Sequence, residues 1–205
     1  LDAYDSPRQA GVIAINLRED EDGLPDELVS AQVATIDDEL ILVSKNGQSV
    51  RFKATDETLR PMGRSTSGVR GMRFREGDEL LTMEVVKPDS DLLVVTEGGY
   101  AKRTPMEEYR TQGRGGLGIK VADVTEERGS LVGALVIDPE EEVMAIMDSG
   151  KVIRVSASDV RATGRNTKGV ILTRTDDGGK VSAITRNSEP QVSSGEDPEP
   201  SEGNA

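Results

Sequence analysis

The chain has 205 residues, 31% of them charged and 35% hydrophobic, with a formal net charge of −13 and neither cysteine nor histidine. The missing histidine and cysteine remove the Ser-His and Cys-His nucleophile systems and the common zinc ligand sets. No run approaches the roughly 18–20 apolar residues of a membrane span, and aromatic residues at 2% leave the core to Val, Ile, Leu, Met and Ala.

Residues 1–37 read as the back half of a repeat, with Gly11-Val12 at a turn and Leu28 to Ala34 as a closing apolar run. A small insert, Glu21 to Pro25, stretches this copy, and a chain opening in mid-repeat reads as a fragment of a longer protein. Three full units follow, over 38–89, 90–140 and 141–187. Each begins with an apolar run: Leu40-Ile41-Leu42-Val43, Leu92-Leu93-Val94-Val95 and Val143-Met144-Ala145-Ile146. Each run leads to a turn, Asn46-Gly47, Gly98-Gly99 and Ser149-Gly150, whose last glycines stand 52 and 51 residues apart. Four residues past each comes an arginine, Arg51, Arg103 and Arg154. Further on, each unit has Gly-Arg-x-x-x-Gly and a β-branched residue, over Gly63 to Val69, Gly113 to Ile119 and Gly164 to Val170.

Asn-Gly and Gly-Gly between apolar runs are hairpin signals, read as type I′ turns that need positive φ. Asp56 to Leu59 and Met106 to Tyr109 are candidates for single helical turns. Four short strands per unit at a period near 50 residues predict an all-β, propeller-like array of four-stranded blades, three full and one partial. Residues 188–205 are rich in acid, proline, serine and glycine and predict a disordered acidic tail.

The net charge conceals a segregation. The windows Gly47–Arg75, Gly99–Lys120 and Gly150–Arg174 hold 18 of the 25 basic residues and only 5 of the 38 acidic ones, so they net +13 and the remainder −26. Equivalent positions of successive repeats share one surface, which predicts a basic stripe suited to the phosphates of duplex DNA. Single-strand binders commonly use aromatic stacking platforms, and this chain has almost none.

The richest turn, Gln112-Gly113-Arg114-Gly115-Gly116-Leu117-Gly118, formally contains G-x-G-x-x-G, but no buried strand precedes it and no helix pattern follows, as a dinucleotide site requires. No Gly-Lys-Ser/Thr closes a phosphate loop. The first and last glycines recur in the other copies and are expected to serve geometry. Gly115 and Gly116 are extra, and would let a backbone amide approach a phosphate. No acid–base constellation emerges, and the chain by itself is expected to catalyse nothing.

Leu92 to Thr104, followed by Gln112 to Gly118, resembles the C-terminal domain of the A subunit of DNA gyrase, and Arg60 to Met72 is most similar to actinobacterial versions. The resemblance covers about residues 1–187. The family's hallmark box reads Gln-Arg-Arg-Gly-Gly-Lys-Gly; Gln112, Arg114, Gly115, Gly116 and Gly118 match it, while Gly113 and Leu117 replace an Arg and the Lys. This copy therefore resembles a secondary box. The resemblance implies a β-pinwheel, a propeller in which neighbouring blades exchange strands. It implies duplex DNA wrapped on a positive outer rim, in support of ATP-dependent negative supercoiling by a type IIA topoisomerase. It implies as partners the remainder of gyrase A together with gyrase B, in a heterotetramer, within the cytoplasm and nucleoid. The catalytic tyrosine, the Mg²⁺ site and the ATPase would lie outside this chain, which needs no cofactor of its own. On this reading Arg51, Arg64, Arg103, Arg114, Arg154, Arg165, Lys102 and Lys168 are the expected DNA contacts. Two alternatives stay open, the corresponding C-terminal domain of topoisomerase IV and a non-catalytic propeller that binds proteins.

Overall fold

Every apolar run that precedes a turn glycine is a strand in the computed structural model, which describes residues 4–7, 9–19, 23, 26–175 and 178–187. The strands are β1 (Glu39–Ser44), β2 (Gln48–Lys53), β3 (Leu80–Val85), β4 (Asp91–Thr96), β5 (Tyr100–Pro105), β6 (Ile119–Lys120), β7 (Leu131–Ile137), β8 (Glu142–Met147), β9 (Val152–Ser156), β10 (Val170–Ile171) and β11 (Val181–Arg186). Short 3-10 turns cover Met106–Glu108 and Ala157–Asp159. The chain is all-β, as its repeat predicts.

The strands form three antiparallel sheets, in the orders β3-β1-β2-β6, β10-β5-β4-β7 and β11-β8-β9. Each unit builds its own hairpin and closing strand, but β6 and β10 cross into the preceding blade. Ser49 of the first unit pairs with Ile119 of the second, and Ala101 of the second with Val170 of the third. This exchange makes the array a pinwheel rather than a stack of independent blades.

The hairpins differ from expectation in turn type. The Gly47 amide donates to Ser44 O at 3.1 Å, and Gly47 takes φ 77°. The Gly99 and Gly150 amides likewise donate to Thr96 and Met147 O, each at 3.0 Å. Outside glycine, Asp89 alone among the described residues has positive φ, so Asn46 does not supply the second positive angle a type I′ turn needs. The loops are three-residue connections, in which a glycine in the left-handed region follows an ordinary turn.

The runs are continuously apolar because the middle blade is covered on both faces. Leu92 and Val94 of β4 pack with Ile41, Val43, Leu131 and Val136 against the first blade. Leu93 and Val95 point the other way, packing with Ile137 onto Val143 and Ala145 of the third. A strand's period of two thus distributes alternate residues to two separate seams. Leu40, Leu42, Val50 and Phe52 form a further cluster with Met72, from the segment after the first box.

No strand forms among the described residues before Glu39. A strand needs a partner edge, and none of these residues pairs with the outer edge of β3, the end strand of the first sheet. Accordingly Leu28, Val29, Val33 and Ile36 are exposed. The acidic tail expected over 188–205 lies outside the described residues, as does most of the insert at 21–25.

Candidate nucleic-acid interface

Arg51 sits on β2, whose side chains alternate between the core and the seam toward the second blade. Its Nε donates to Glu39 Oε2 at 2.7 Å, and Nη2 reaches the same carboxylate. Nη1 donates to the carbonyls of Met106 at 2.7 Å and Tyr109 at 3.1 Å, in the 3-10 turn of the next blade. Thr111 Oγ1 donates to Glu39 Oε1 at 2.9 Å. Burial alone would raise the Glu39 pKa. The hydrogen bonds from Thr111 and Arg51, with the Arg51 charge, outweigh it and hold Glu39 below its ordinary value.

Arg103 repeats the arrangement one blade on. Its Nη1 donates to Asp91 Oδ2 and its Nε to Val160 O, each at 2.7 Å, and the residue is 8% exposed. Val160 closes the third blade's 3-10 turn as Tyr109 closes the second's. Arg51 and Arg103 each also accept a backbone amide on their own carbonyl, from Gln112 and Thr163, both at 2.8 Å. Lys102 is 3% exposed, with Nζ donating to Val121 O at 2.6 Å and to Arg165 O. Burial pushes its amine down to about 8, helped by the nearby Arg165 charge.

Arg51, Arg103 and Lys102, expected among the DNA contacts, are turned toward the blade seams rather than outward. They repeat at one offset because the seam repeats. Their hydrogen bonds run to carbonyls and carboxylates, and Arg103 and Lys102 are buried while the Arg51 side chain is 18% exposed. Arg154, third in the series, has a 52% exposed side chain and stands 3.7 Å from Glu142.

The box is also largely structural. Arg114 donates from Nε to Thr58 O at 2.6 Å and from Nη1 to Arg70 O at 3.1 Å, tying its loop to the first blade. The Gly115 amide donates to Gly71 O at 2.5 Å, and Gly116 O accepts the Arg73 amide at 2.8 Å. The expected approach of the Gly115 amide to a phosphate is thereby corrected, since that donor is used. Gly118 has φ 76°, and a Cβ there would collide with the Ser49 carbonyl of the preceding blade; Gly169 faces the Ala101 carbonyl in the same way. By contrast Gly113 has no positive φ and open space around it, so the expectation of a geometric role holds for the last glycine of the box and not for the first. Gln112 Nε2 lies 3.4 Å from Ser49 O, and Leu117 is exposed at the loop tip.

The remaining expected contacts stand nearer the surface. Arg64 is half-buried with Nη1 3.3 Å from Ile13 O, Arg165 is half-buried with its Nε buried, and Lys168 is exposed. The structure adds a set that the sequence reading missed. Arg60, Arg110 and Arg161 each follow the residue that closes the turn before the box, stand 50 and 51 residues apart, and are exposed. Arg110 and Arg161 immediately precede Thr111 and Ala162, which bridge to Arg51 and Arg103. The spacing was available in the sequence, but so was the spacing of Arg51 and Arg103; only burial separates the two sets. Exposed acids stand near them in the chain at Glu57, Glu107 and Asp159, and Arg70, Arg73, Lys120 and Lys168 are also exposed, Lys120 in an ion pair with Asp123. Among the described residues no cluster of three or more acids is placed to hold a metal ion. No described helix is long and apolar enough to cross a membrane.

Four successive stretches, residues 1–34, 38–87, 90–138 and 141–188, match the model of the DNA gyrase C-terminal domain, a β-propeller. The chain belongs to this family. It is 58% identical over 189 residues to the A subunit of DNA gyrase from Streptomyces coelicolor, and 55% identical over 189 residues to that from Mycolicibacterium smegmatis. Each alignment covers 92% of this chain and 22% of the relative, so the gyrase domain here spans about a fifth of the length of the curated relatives it matches. A solved gyrase A C-terminal domain superposes with TM-score 0.75 at 28% identity, over 87% of this chain and 58% of that one. The C-terminal domain of DNA topoisomerase IV superposes with TM-score 0.81 at 21% identity, over 90% and 56%, a likeness of fold alone.

Proposed function

We propose that this gyrase C-terminal domain binds duplex DNA along the face bearing Arg60, Arg110 and Arg161, bends the duplex around successive blades, and so serves gyrase A in negative supercoiling. The observation that carries the reading is the sorting of arginines. One repeated set is consumed in the seams, while a second, at equal spacing, stands exposed and open to phosphates. Arginine suits that task because its planar fork matches phosphate oxygens. Bending a 20–30 bp site by 40–90° costs on the order of 1–6 kcal/mol, which several weak contacts spread over successive blades can offset. The near-absence of aromatic residues supports a duplex over a single strand.

In this reading the chain is a binding module of an ATP-hydrolysing enzyme. Its partners are duplex DNA, the rest of gyrase A, and gyrase B, while ATP and Mg²⁺ act elsewhere in that assembly. The experiment is fluorescence anisotropy of labelled duplex and single-stranded oligonucleotides of equal length at rising salt. Duplex binding that weakens steeply with salt, with weaker single-strand binding, is the expected result. Preference for the single strand, or no salt dependence, would overturn it.

A further inference from the structure

The two blade seams are packed mainly by aliphatic side chains, which attract without fixing a direction. A guanidinium is planar and aims its donors along set lines. Each seam contains one such group on the second strand of a hairpin, paired with an acid of the first strand and with a carbonyl of the next blade. In the first, Arg51 joins Glu39 of its own hairpin to the Met106 and Tyr109 carbonyls of the next blade. In the second, Arg103 joins Asp91 to the Val160 carbonyl. The carbonyls of both arginines receive amides from Gln112 and Thr163, two residues after the exposed Arg110 and Arg161. The clasp that orients a blade therefore also fixes where its exposed arginine stands relative to the preceding one.

We propose that Glu39–Arg51 and Asp91–Arg103 are positioning pairs that set the angle between successive blades, and through it the curvature imposed on bound duplex. The proposal rests on the duplex-wrapping reading. A phosphate contact within one blade does not depend on the neighbouring blade's tilt, whereas the path across several blades does. Loosening a clasp should thus leave short-range affinity in place and change the wrap.

The test uses the chain with relaxed closed-circular plasmid and a nicking–closing topoisomerase, reading the linking-number change per bound chain at saturation. Affinity for a short linear duplex is measured in parallel, and folding is checked by circular dichroism. One variant pairs Asp91→Leu with Arg103→Met, which removes both charges and leaves neither buried alone. The other is Arg51→Lys, which keeps the charge but loses the fork. The expected result is short-duplex affinity within about threefold of the parent, with the linking-number change per chain reduced by half or more. If the paired replacement does not fold, Arg51→Lys decides. A folded variant with the parent's linking-number change overturns the proposal, as does a parallel fall in affinity and linking number. Tight duplex binding by the parent with no linking-number change would instead sink the wrapping reading, and the proposal with it.

Discussion

Arg103 Nη1 lies 2.7 Å from Asp91 Oδ2, across the same hairpin, while its Nε donates to Val160 of the next blade. One buried side chain thus joins two blades. Removing it strands the Asp91 carboxylate, and breaking a buried pair from one side costs about 3–5 kcal/mol. Arg103→Met should lower the urea unfolding free energy by about that amount. Arg154→Met, at a half-exposed pair, should cost less than about 1 kcal/mol. Equal losses for the two would contradict the distinction between a closed and an exposed clasp.

The box glycines should separate by their surroundings. Gly118→Ala and Gly169→Ala each place a methyl against a carbonyl of the preceding blade, in a left-handed conformation. Each should destabilise by more than the roughly 1–2 kcal/mol that the conformation alone costs. Gly113→Ala meets neither obstacle and should be neutral, or stabilising by roughly 0.4–1 kcal/mol through the unfolded state. Thermal melts of the three variants would show it, and a Gly113 variant as damaged as the Gly118 one would refute the assignment.

Lys102 makes the seam pH-sensitive. Burial holds its folded pKa at about 8, against 10.5 for an ordinary lysine, with Arg165 and Lys120 opposing its charge and Asp123 and Glu108 favouring it. Above pH 8 the unfolded chain holds a proton that the fold has given up, so stability rises with pH from 8 toward 10.5. Tyr109 acts oppositely: burial raises it from 10 to about 12, so its contribution falls between those values. Between pH 8 and about 9.5 the urea midpoint of Lys102→Met should therefore rise less than the parent's. Parallel curves would place Lys102 outside the buried seam.

Most of the fold was legible because it rests on short-range rules. The runs Leu40–Val43 and Leu92–Val95, each closed by a glycine turn, are strands, and the 50-residue period is the blade. The exchange of Ile119–Lys120 into the neighbouring blade was not legible from spacing, because two residues carry no periodicity; it entered through family resemblance alone. The site was read less well, for a physical reason. A repeat offset marks any residue that the architecture reuses, whether it holds the seam, as Arg51 and Arg103 do, or faces solvent, as Arg60, Arg110 and Arg161 do. Telling them apart requires burial: Glu39 and Asp91 each stand twelve residues before a seam arginine, but Glu142 stands equally before the exposed Arg154.

The central claim is that the exposed arginine set, and not the seam set, meets the phosphates. The most direct measurement is the slope of log affinity against log salt for duplex DNA, comparing the parent with Arg60→Gln/Arg110→Gln/Arg161→Gln. Three lost phosphate contacts should make the slope shallower by about 2–3, at roughly 0.9 per contact, while the melting temperature is unchanged. An unaltered slope and affinity in the folded triple variant would contradict the account.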